Sequence, residues 1–404
     1  MRSVIAISIY CLLVYTGVVN TITTSLIHFE IGYPLNVMTL IFGTQTTQTS
    51  EDFLKMKLTE INTMYKEQRY PAAQKALEEI LAHPHIKNFP EALPALYYNL
   101  ACVHALQGQK VEALVNLRKA VELGYSDYLH FAEDTDFTSV RTDAEFQAYQ
   151  EALRQRFGPK PLVYDSSAPA ITFPLTFETR HSARHRQLRE EFNLDAVVAG
   201  AKNDYERLQR LTFWTSRQWE HDSTHMASKN DPIIILREAR QGGRFICTNY
   251  AVVLAGAANA YGISTRLVNL LPKDVETRSE SHTVVEAWLP QFKKWVLADG
   301  QFGLIAEKDG IPLNAVELQA AIAEGKQLTL RGTTDSNWKS FIFPNLYFFK
   351  ISQDQRSFES QPSAQLVLVP KGSQLPRIFA GGHPEVFARA TYTSNASNFY
   401  VAPE

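Results

Sequence analysis

Two stretches that alternate apolar and polar residues, joined by a short connection, constrain the fold of this 404-residue chain most strongly. In residues 282–289 (HTVVEAWL), His282 and Val285 lie on opposite faces of a predicted strand. Residues 290–294 then lead into WVLADG, a second strand that ends at Asp299. Because the connection is short, the pair predicts a hairpin of an antiparallel sheet.

The register of this hairpin decides which side chains can meet. If Leu289 pairs with Trp295, a regular register places Asp299 opposite Val285 rather than His282. A contact between Asp299 and His282 would then require a bulge or a shifted register, and functional sites often contain such features.

A helix is predicted before the hairpin, and Cys247 lies at its start. Residues 251–258 (AVVLAGAA) suit a buried helix, and Gly262 fits the glycine that commonly ends one. A cysteine in the first helical turn feels the positive end of the helix dipole, which favours the thiolate. The position alone would suit a buried structural cysteine equally well. The chain order of Cys247, His282 and Asp299, however, is that of a thiol nucleophile, its base and a group that fixes the base's tautomer.

These segments resemble the transglutaminase-like superfamily, whose core is shared with papain-like thiol enzymes. GISTR after the cysteine helix is similar to the family's Gly-Ile-x-x-Arg turn, HTVVEAWL to its H-x-W-x-E-V-Y-L motif, and WVLADG to its W-V-x-x-D-P motif. The resemblance spans about residues 203–303. The positions that match are Cys247, Ala251, Gly262, Arg266, His282, Glu286, Leu289, Trp295, Val296 and Asp299.

The resemblance implies that Cys247 is the nucleophile, His282 the general base and acid, and Asp299 the orienting residue. Two positions depart from the family pattern, since Val284 stands where the family has tryptophan and Gly300 where it has proline. Trp214 and Trp219 are candidates by residue type for a side-chain oxyanion donor, and the backbone N–H of Cys247 at the helix start is the better one.

Residues 50–155 are predicted to form a helical array that resembles tetratricopeptide repeats. One copy covers residues 97–124 with Gly108 in its turn, and an earlier copy covers residues 64–81. Cys102 falls on the buried side of the array and is interpreted as a packing residue. The positions that fit the repeat are Tyr97, Leu100, Ala101, Ala113, Leu117 and Ala120 in one copy, and Ala73, Leu77 and Ile80 in the other.

The length suggests two or three domains, and a Pro- and Ser-containing link at residues 158–170 separates the array from the rest of the chain. The predicted class is α+β: a helical repeat array, then a transglutaminase-like or papain-like core with an antiparallel sheet. The predicted domains are a signal peptide or membrane anchor (1–30), the helical domain (50–155), the catalytic domain (170–330) and a β-rich C-terminal extension (331–404).

Charge and cysteine usage exclude several function classes. The net charge of −2 gives no basic excess, so no nucleic-acid partner is expected. The three cysteines, Cys11, Cys102 and Cys247, form no CxxC motif, which argues against a disulfide framework or a structural zinc site. His221 and His225 are interpreted as solvated loop histidines. The sequence therefore predicts no cofactor and no metal.

The N-terminus predicts export. Arg2 precedes the almost wholly apolar residues 4–19, as in a secretory signal or an uncleaved anchor, and the protein would be periplasmic, secreted or membrane-anchored. The alternative is a mis-assigned start at Met38 and a cytosolic protein. Contact with a membrane is expected only if the segment is an uncleaved anchor.

The sequence supports two hypotheses for function. The first is an exported thiol-dependent amide hydrolase, either protease or amidase, or an acyltransferase, with hydrolysis favoured. It acts through Cys247, His282 and Asp299 on a protein or peptide. The second is a catalytically silent scaffold, whose helical repeats bind a protein partner. An intact order of all three residues favours the enzyme.

Overall fold

The computed structural model describes residues 50–179, 182–278, 280–333, 338–358, 360–380, 387 and 389–403. The predicted signal or anchor at residues 1–30 lies outside these ranges. Within them no helix is long and apolar enough to cross a membrane. The chain divides into two compact units between Phe157 and Gly158.

The first unit is helical. Its helices are α1 (Ser50–Lys66), α2 (Tyr70–Ala82), α3 (Leu93–Leu106), α4 (Lys110–Glu122), α5 (Tyr128–Glu133) and α6 (Ala144–Phe157), with 3-10 turns at Pro84–Asn88, Pro90–Ala92 and Thr135–Ser139.

Helices α3 and α4 form a hairpin whose turn contains Gly108, and its φ of 74° is a conformation that glycine adopts readily. Ala101 of α3 and Ala113 and Leu117 of α4 are buried between the helices, and the small side chains of the two alanines allow the helices to approach closely. One apolar cluster joins α1, α2 and α3, and a second joins α3 to α4, α5 and α6. The helices occur where the repeat spacing predicts them, while membership in the tetratricopeptide family stays a prediction.

The second unit begins with helices and then forms a sheet. The helices are α7 (Ala183–Glu191), α8 (Leu194–Val198), α9 (Asp204–Thr215), α10 (Pro232–Arg240), α11 (Cys247–Asn259), α12 (Ala315–Ala323), α13 (Trp338–Ile342) and α14 (Ala396–Phe399). The strands are β1 (Thr265–Leu271), β2 (His282–Leu289), β3 (Lys294–Ala298), β4 (Leu304–Lys308), β5 (Ile311–Pro312), β6 (Thr329–Gly332), β7 (Phe348–Ser352), β8 (Gln365–Leu368) and β9 (Ala390–Thr393).

A six-stranded sheet in the order β3-β2-β1-β7-β8-β9 forms the centre of this unit, and β5-β4-β6 form a smaller sheet. The pairing in the large sheet is antiparallel except between β8 and β9. The α+β class is thus confirmed. Strands β7 to β9, which lie beyond residue 330, continue the same sheet as β1 to β3.

The link predicted at residues 158–170 is part of the second unit. The backbone N–H of Asp165 donates to the carbonyl of Ser394 at 2.7 Å, and the side chain of Asn398 donates to the carbonyl of Pro169 at 2.8 Å. These bonds attach the segment to residues near the C-terminal end of the chain, so it packs on the second unit.

Helix α11 packs against the face of the sheet that is formed by the apolar residues of the alternating strands β2 and β3. Val285 and Ala287 of β2 and Val296 of β3 belong to the same buried cluster as the alanines and valines of α11. The opposite face holds His282 and Glu286. The start of α11, at Cys247, and the start of β2, at His282, lie at the same edge of the core.

Candidate active site

Cys247 is the first residue of α11, and local backbone geometry fixes it there. Ile246 before it is extended (φ −72°, ψ 172°), provides no side-chain cap and donates its N–H to the carbonyl of His225 at 3.0 Å. Gly243 allows the chain to approach this turn closely, since a Cβ atom there would lie 2.5 Å from the ring of Phe245 and 2.9 Å from the carbonyl oxygen of Glu238. The N–H of Cys247 finds no acceptor among the described residues, as expected of the first N–H of a helix.

His282 begins β2 and is fully buried. Its Nε2 lies 2.9 Å from Oδ2 of Asp299. The rings of Phe341 and Phe302 meet the imidazole edge to face, at centroid distances of 5.1 and 6.1 Å. With Nε2 bound to the carboxylate, Nδ1 is left for another partner, and no described residue makes an aligned hydrogen bond to it.

Asp299 comes directly after β3 and reaches His282 without a bulge. The observed register pairs Trp288 with Trp295 and Val285 with Ala298, one residue away from a register that pairs Leu289 with Trp295. Asp299 therefore falls on the same face of the sheet as His282, and the two side chains meet on the diagonal between strands. A contact between Asp299 and His282 was expected to require a bulge or a shifted register, and the observed register is shifted by one residue.

The carboxylate of Asp299 accepts four hydrogen bonds. Its Oδ1 accepts from the backbone N–H groups of Gln301 (3.1 Å) and Phe302 (3.2 Å), and its Oδ2 accepts from His282 and from the indole N–H of Trp338 (3.0 Å). Burial alone would raise the pKa of Asp299, but the charge of His282 and these donors outweigh it and lower the pKa.

The pKa of His282 is raised and the pKa of Cys247 is lowered, so both shifts favour the charged forms of the two groups. Burial would lower the pKa of His282, yet the charge of Asp299 and the interactions with Asp299 and Cys247 raise it to about 10. Burial would raise the pKa of the Cys247 thiol, while the interactions with His282 and then with Thr283 lower it overall. The arrangement thus favours thiolate and imidazolium, which titrate together.

Thr283, the residue after His282 in β2, contacts the start of α11, where Cys247 lies. Its Oγ1 accepts a hydrogen bond from Asn269 Nδ2 at 2.9 Å and lies 3.1 Å from Oγ1 of Thr248, the residue after the cysteine. Thr283 faces α11, so its backbone and hydroxyl lie beside Cys247.

Several residues at the site were not singled out from the sequence. Trp338 and Phe341 come from α13, far along the chain, and no local motif marks them. His221 was interpreted as solvated, but it is partly buried, its ring stacks on Tyr250 at 6.4 Å, and burial together with the charge of His282 lowers its pKa. His225, in contrast, is exposed and pairs with Asp222 at 2.8 Å.

Trp219 and Trp214, the two side-chain candidates for an oxyanion donor, make their contacts with other parts of the structure. The indole N–H of Trp219 donates to the carbonyl of Phe245 at 3.3 Å, so that donor is already used. Trp214 lines a surface pocket with Phe213, Arg210 and Arg217. The backbone N–H of Cys247 remains the better candidate.

Comparison with known proteins bears on this region of the chain. Residues 193–300 match the model of the transglutaminase-like superfamily. Residues 193–300 are a transglutaminase-like domain. The transglutaminase-like domain includes Cys247, His282 and Asp299, and its family and the buried site together indicate a cysteine-based enzyme.

Other comparisons add little. A solved structure described as a candidate cysteine protease from Cytophaga hutchinsonii is 16% identical and covers 31% of this chain, with a TM-score of 0.25. The match spans 40% of that protein's own chain. A comparison with curated proteins finds no match.

Among the described residues, the transglutaminase-like site has no three His, Cys, Asp or Glu side chains whose ligand atoms lie close enough together to share one metal ion. One such group lies in the helical unit and consists of Cys102, Asp134 and Asp136.

Proposed function

We propose that the chain is a thiol enzyme that cleaves or transfers amide-linked acyl groups, with Cys247 as nucleophile, His282 as general base and acid, and Asp299 as the orienting residue. The observation that supports this best is the 2.9 Å bond between His282 Nε2 and Asp299. This bond fixes the imidazole so that Nδ1 is the nitrogen available to the Cys247 thiol, which is the geometry that nucleophilic catalysis needs.

The proposed reaction proceeds in two halves. The Cys247 thiolate attacks the amide carbonyl carbon, and the carbonyl oxygen becomes an oxyanion near the helix N-terminus, where the N–H of Cys247 can donate to it. His282 then gives its proton to the leaving amine, the C–N bond breaks, and an acyl-thioester remains. A second nucleophile gives its proton to His282, attacks the thioester and releases the acyl group and the thiolate.

The second nucleophile decides between hydrolysis and transfer, and we favour water. The test is turnover of a fluorogenic peptide amide with and without an excess of a fluorescent primary alkylamine. A hydrolase releases the free acid and leaves the amine unlabelled, whereas an acyltransferase incorporates the amine. Incorporation in excess over hydrolysis would overturn the preference for water.

Alkylation with iodoacetamide tests the proposed pair directly. Because the pKa of Cys247 is lowered, its alkylation should stay fast well below about pH 8.5, the ordinary thiol range. In His282→Ala the profile should move up toward that value. Cys102 provides an internal control, since burial and the charge of Asp134 raise its pKa and keep it unreactive.

A different outcome would favour the scaffold hypothesis. If Cys247 is alkylated like an ordinary thiol, with the same pH profile in His282→Ala, the pair is not assembled and the domain serves as a scaffold. Turnover should also be lost in Cys247→Ser and reduced less in Asp299→Ala, since the orienting member of such triads can be the least costly to lose.

We further propose that the substrate is a protein or peptide and that the helical unit binds a protein partner, as the repeat spacing predicts. Removal of residues 50–155 should leave turnover of a small peptide amide unchanged and slow turnover of a protein substrate. Loss of small-substrate turnover in a folded truncation would contradict this division of roles.

Export is part of the same proposal and is supported by Arg2 and the apolar residues 4–19. Cell fractionation of the full chain with a C-terminal tag, together with N-terminal sequencing, separates a cleaved signal from an uncleaved anchor. Recovery of uncleaved protein in the cytosol would contradict export.

A further inference from the structure

A buried group of ligand-type side chains lies in the helical unit and includes none of the residues of the candidate active site. We refer to Cys102, Asp134 and Asp136 as the Cys102 cluster. One ligand atom from each residue lies within 4.8 Å of the others, and all three residues are at most 6% exposed. Cys102 lies on α3, whereas the two aspartates flank the start of the Thr135–Ser139 turn, so the fold joins two segments here.

Hydrogen bonds within the protein already satisfy one residue of the cluster, Asp134. Oδ2 of Asp134 accepts from the hydroxyl of Tyr98 at 2.7 Å and lies 3.5 Å from the thiol of Cys102, while Oδ1 accepts from the backbone N–H of Asp136 at 3.0 Å. Asp134 is therefore satisfied within the protein, and it would need no ligand on its own.

Asp136 is different. Its side chain is 3% exposed, and its Oδ1 is buried without a hydrogen-bond partner among the described residues. A buried carboxylate oxygen that has lost its water and gained no donor is costly, and native proteins seldom leave one in that state. Asp136 belongs to a cluster that also contains a thiol and a second carboxylate, and a cation is a partner that can satisfy all three side chains.

We propose that the Cys102 cluster binds a divalent transition-metal ion, with Zn²⁺ as the best fit. A thiolate together with carboxylates suits Zn²⁺ rather than Mg²⁺ or Ca²⁺, which prefer oxygen ligands alone. In a tetrahedral Zn²⁺ site, bond lengths of about 2.0–2.3 Å place donors about 3.3–3.8 Å apart. The 3.5 Å between the Cys102 thiol and Asp134 Oδ2 already meets this. The ligand oxygen of Asp136 lies within 4.8 Å of the other two donors and would have to move by at most about 1.5 Å.

The surroundings can complete such a site. Nε2 of His130 lies 3.4 Å from Oδ2 of Asp134, but it is not among the ligand atoms that lie within 4.8 Å of one another, so it would have to move to become a fourth donor. Binding would release the thiol proton of Cys102 to solvent, so that one thiolate and two carboxylates face a doubly charged ion. The guanidinium of Arg141 donates to the carbonyls of Ala132 and Asp134 and offsets the remaining negative charge. The metal would then tie α3 to the segment around residue 134.

The test uses the full chain with Cys11→Ser and Cys247→Ser, so that Cys102 is the only thiol and any result is independent of the proposed catalysis. Co²⁺ is added as a spectroscopic probe. We expect a thiolate-to-Co²⁺ charge-transfer absorption that saturates at one ion per chain and disappears when Zn²⁺ is added. Zn²⁺ should also raise the unfolding temperature in a concentration-dependent way.

Variants locate the site. Cys102→Ser should abolish the absorption, and Asp136→Asn should weaken Co²⁺ binding at least about 10-fold. Asp143→Asn, which changes an exposed aspartate of the same unit, should leave binding unchanged. Circular dichroism of each variant shows that it is folded. Absence of the absorption in the folded parent, or equal affinity in Asp136→Asn, would overturn the proposal and leave the cluster as a hydrogen-bonded packing contact.

Discussion

The indole N–H of Trp338 donates to Oδ2 of Asp299 at 3.0 Å, on the same oxygen that accepts from His282. A residue of α13 thus holds the carboxylate that orients the imidazole. Because both donors meet at one oxygen, loss of the indole N–H should let the carboxylate rotate away from His282.

We predict that Trp338→Phe lowers kcat by at least about 10-fold, in keeping with a hydrogen bond to a charged group that contributes about 1.5–3 kcal/mol. In an Asp299→Asn background the same change should have little further effect, and a double-mutant cycle on peptide amide turnover measures this. Trp288→Phe, a partly buried tryptophan that packs on Trp295, is the matched control. Equal losses in both backgrounds would mean that Trp338 acts only through packing.

Thr283 should tune the acidity of the thiol. Since the hydrogen bond from its hydroxyl contributes to the lowered pKa of the Cys247 thiol, Thr283→Val should raise the pKa seen in the alkylation profile. Thr391→Val, at an exposed threonine on β9 of the same sheet, should leave the profile unchanged. An unshifted profile in Thr283→Val would remove this residue from the site.

The buried ion pair behind the active site should contribute strongly to stability. Arg266 and Glu286 are both fully buried at 2.6 Å, and the guanidinium lies over the rings of Trp295 and Phe399. Removal of one partner leaves the other charge buried, so Glu286→Gln should lower the free energy of unfolding by about 3–5 kcal/mol.

A surface pair provides the control for that measurement. Glu191 and Arg237 form an ion pair at 2.7 Å with half-exposed Arg237, and Glu191→Gln should cost at most about 1 kcal/mol. Urea unfolding of both variants gives the comparison. Similar losses at the two sites would show that burial adds nothing to the Arg266 pair.

Lys350 should make stability depend on pH. It lies on β7, is 7% exposed, and burial lowers its pKa to about 8. An unfolded lysine keeps its proton up to about pH 10.4, so between about pH 8 and 10.4 the unfolded state binds more protons and stability from this group rises with pH.

Lys350→Met should therefore be more stable than the parent by about 3 kcal/mol at pH 7, with the difference vanishing near pH 10.4. Taking the difference between the two proteins in urea unfolding cancels other groups, including His282, whose contribution has the opposite sign and is lost as pH rises through about 10. A difference that stays constant from pH 7 to 10 would show that Lys350 is not desolvated.

The sequence by itself determined the local elements and their order. Asn203, a residue type that favours the N-cap, accepts from the N–H of Glu206 and caps α9, and the apolar run after Cys247 forms α11. The alternation in residues 282–289 forms β2. These features result from short-range periodicity and capping, which neighbouring residues specify without the rest of the chain.

Only the tertiary structure decided the register of β2 with β3, and with it the face on which Asp299 lies. A shift of one residue reverses the face of every side chain, and the choice depends on what α11 buries rather than on the hairpin alone. The same holds for Trp338 and Phe341, which reach His282 and Asp299 from α13, and for His221, which proved partly buried. No local pattern marks these residues, because their positions result from contacts between segments distant in the chain.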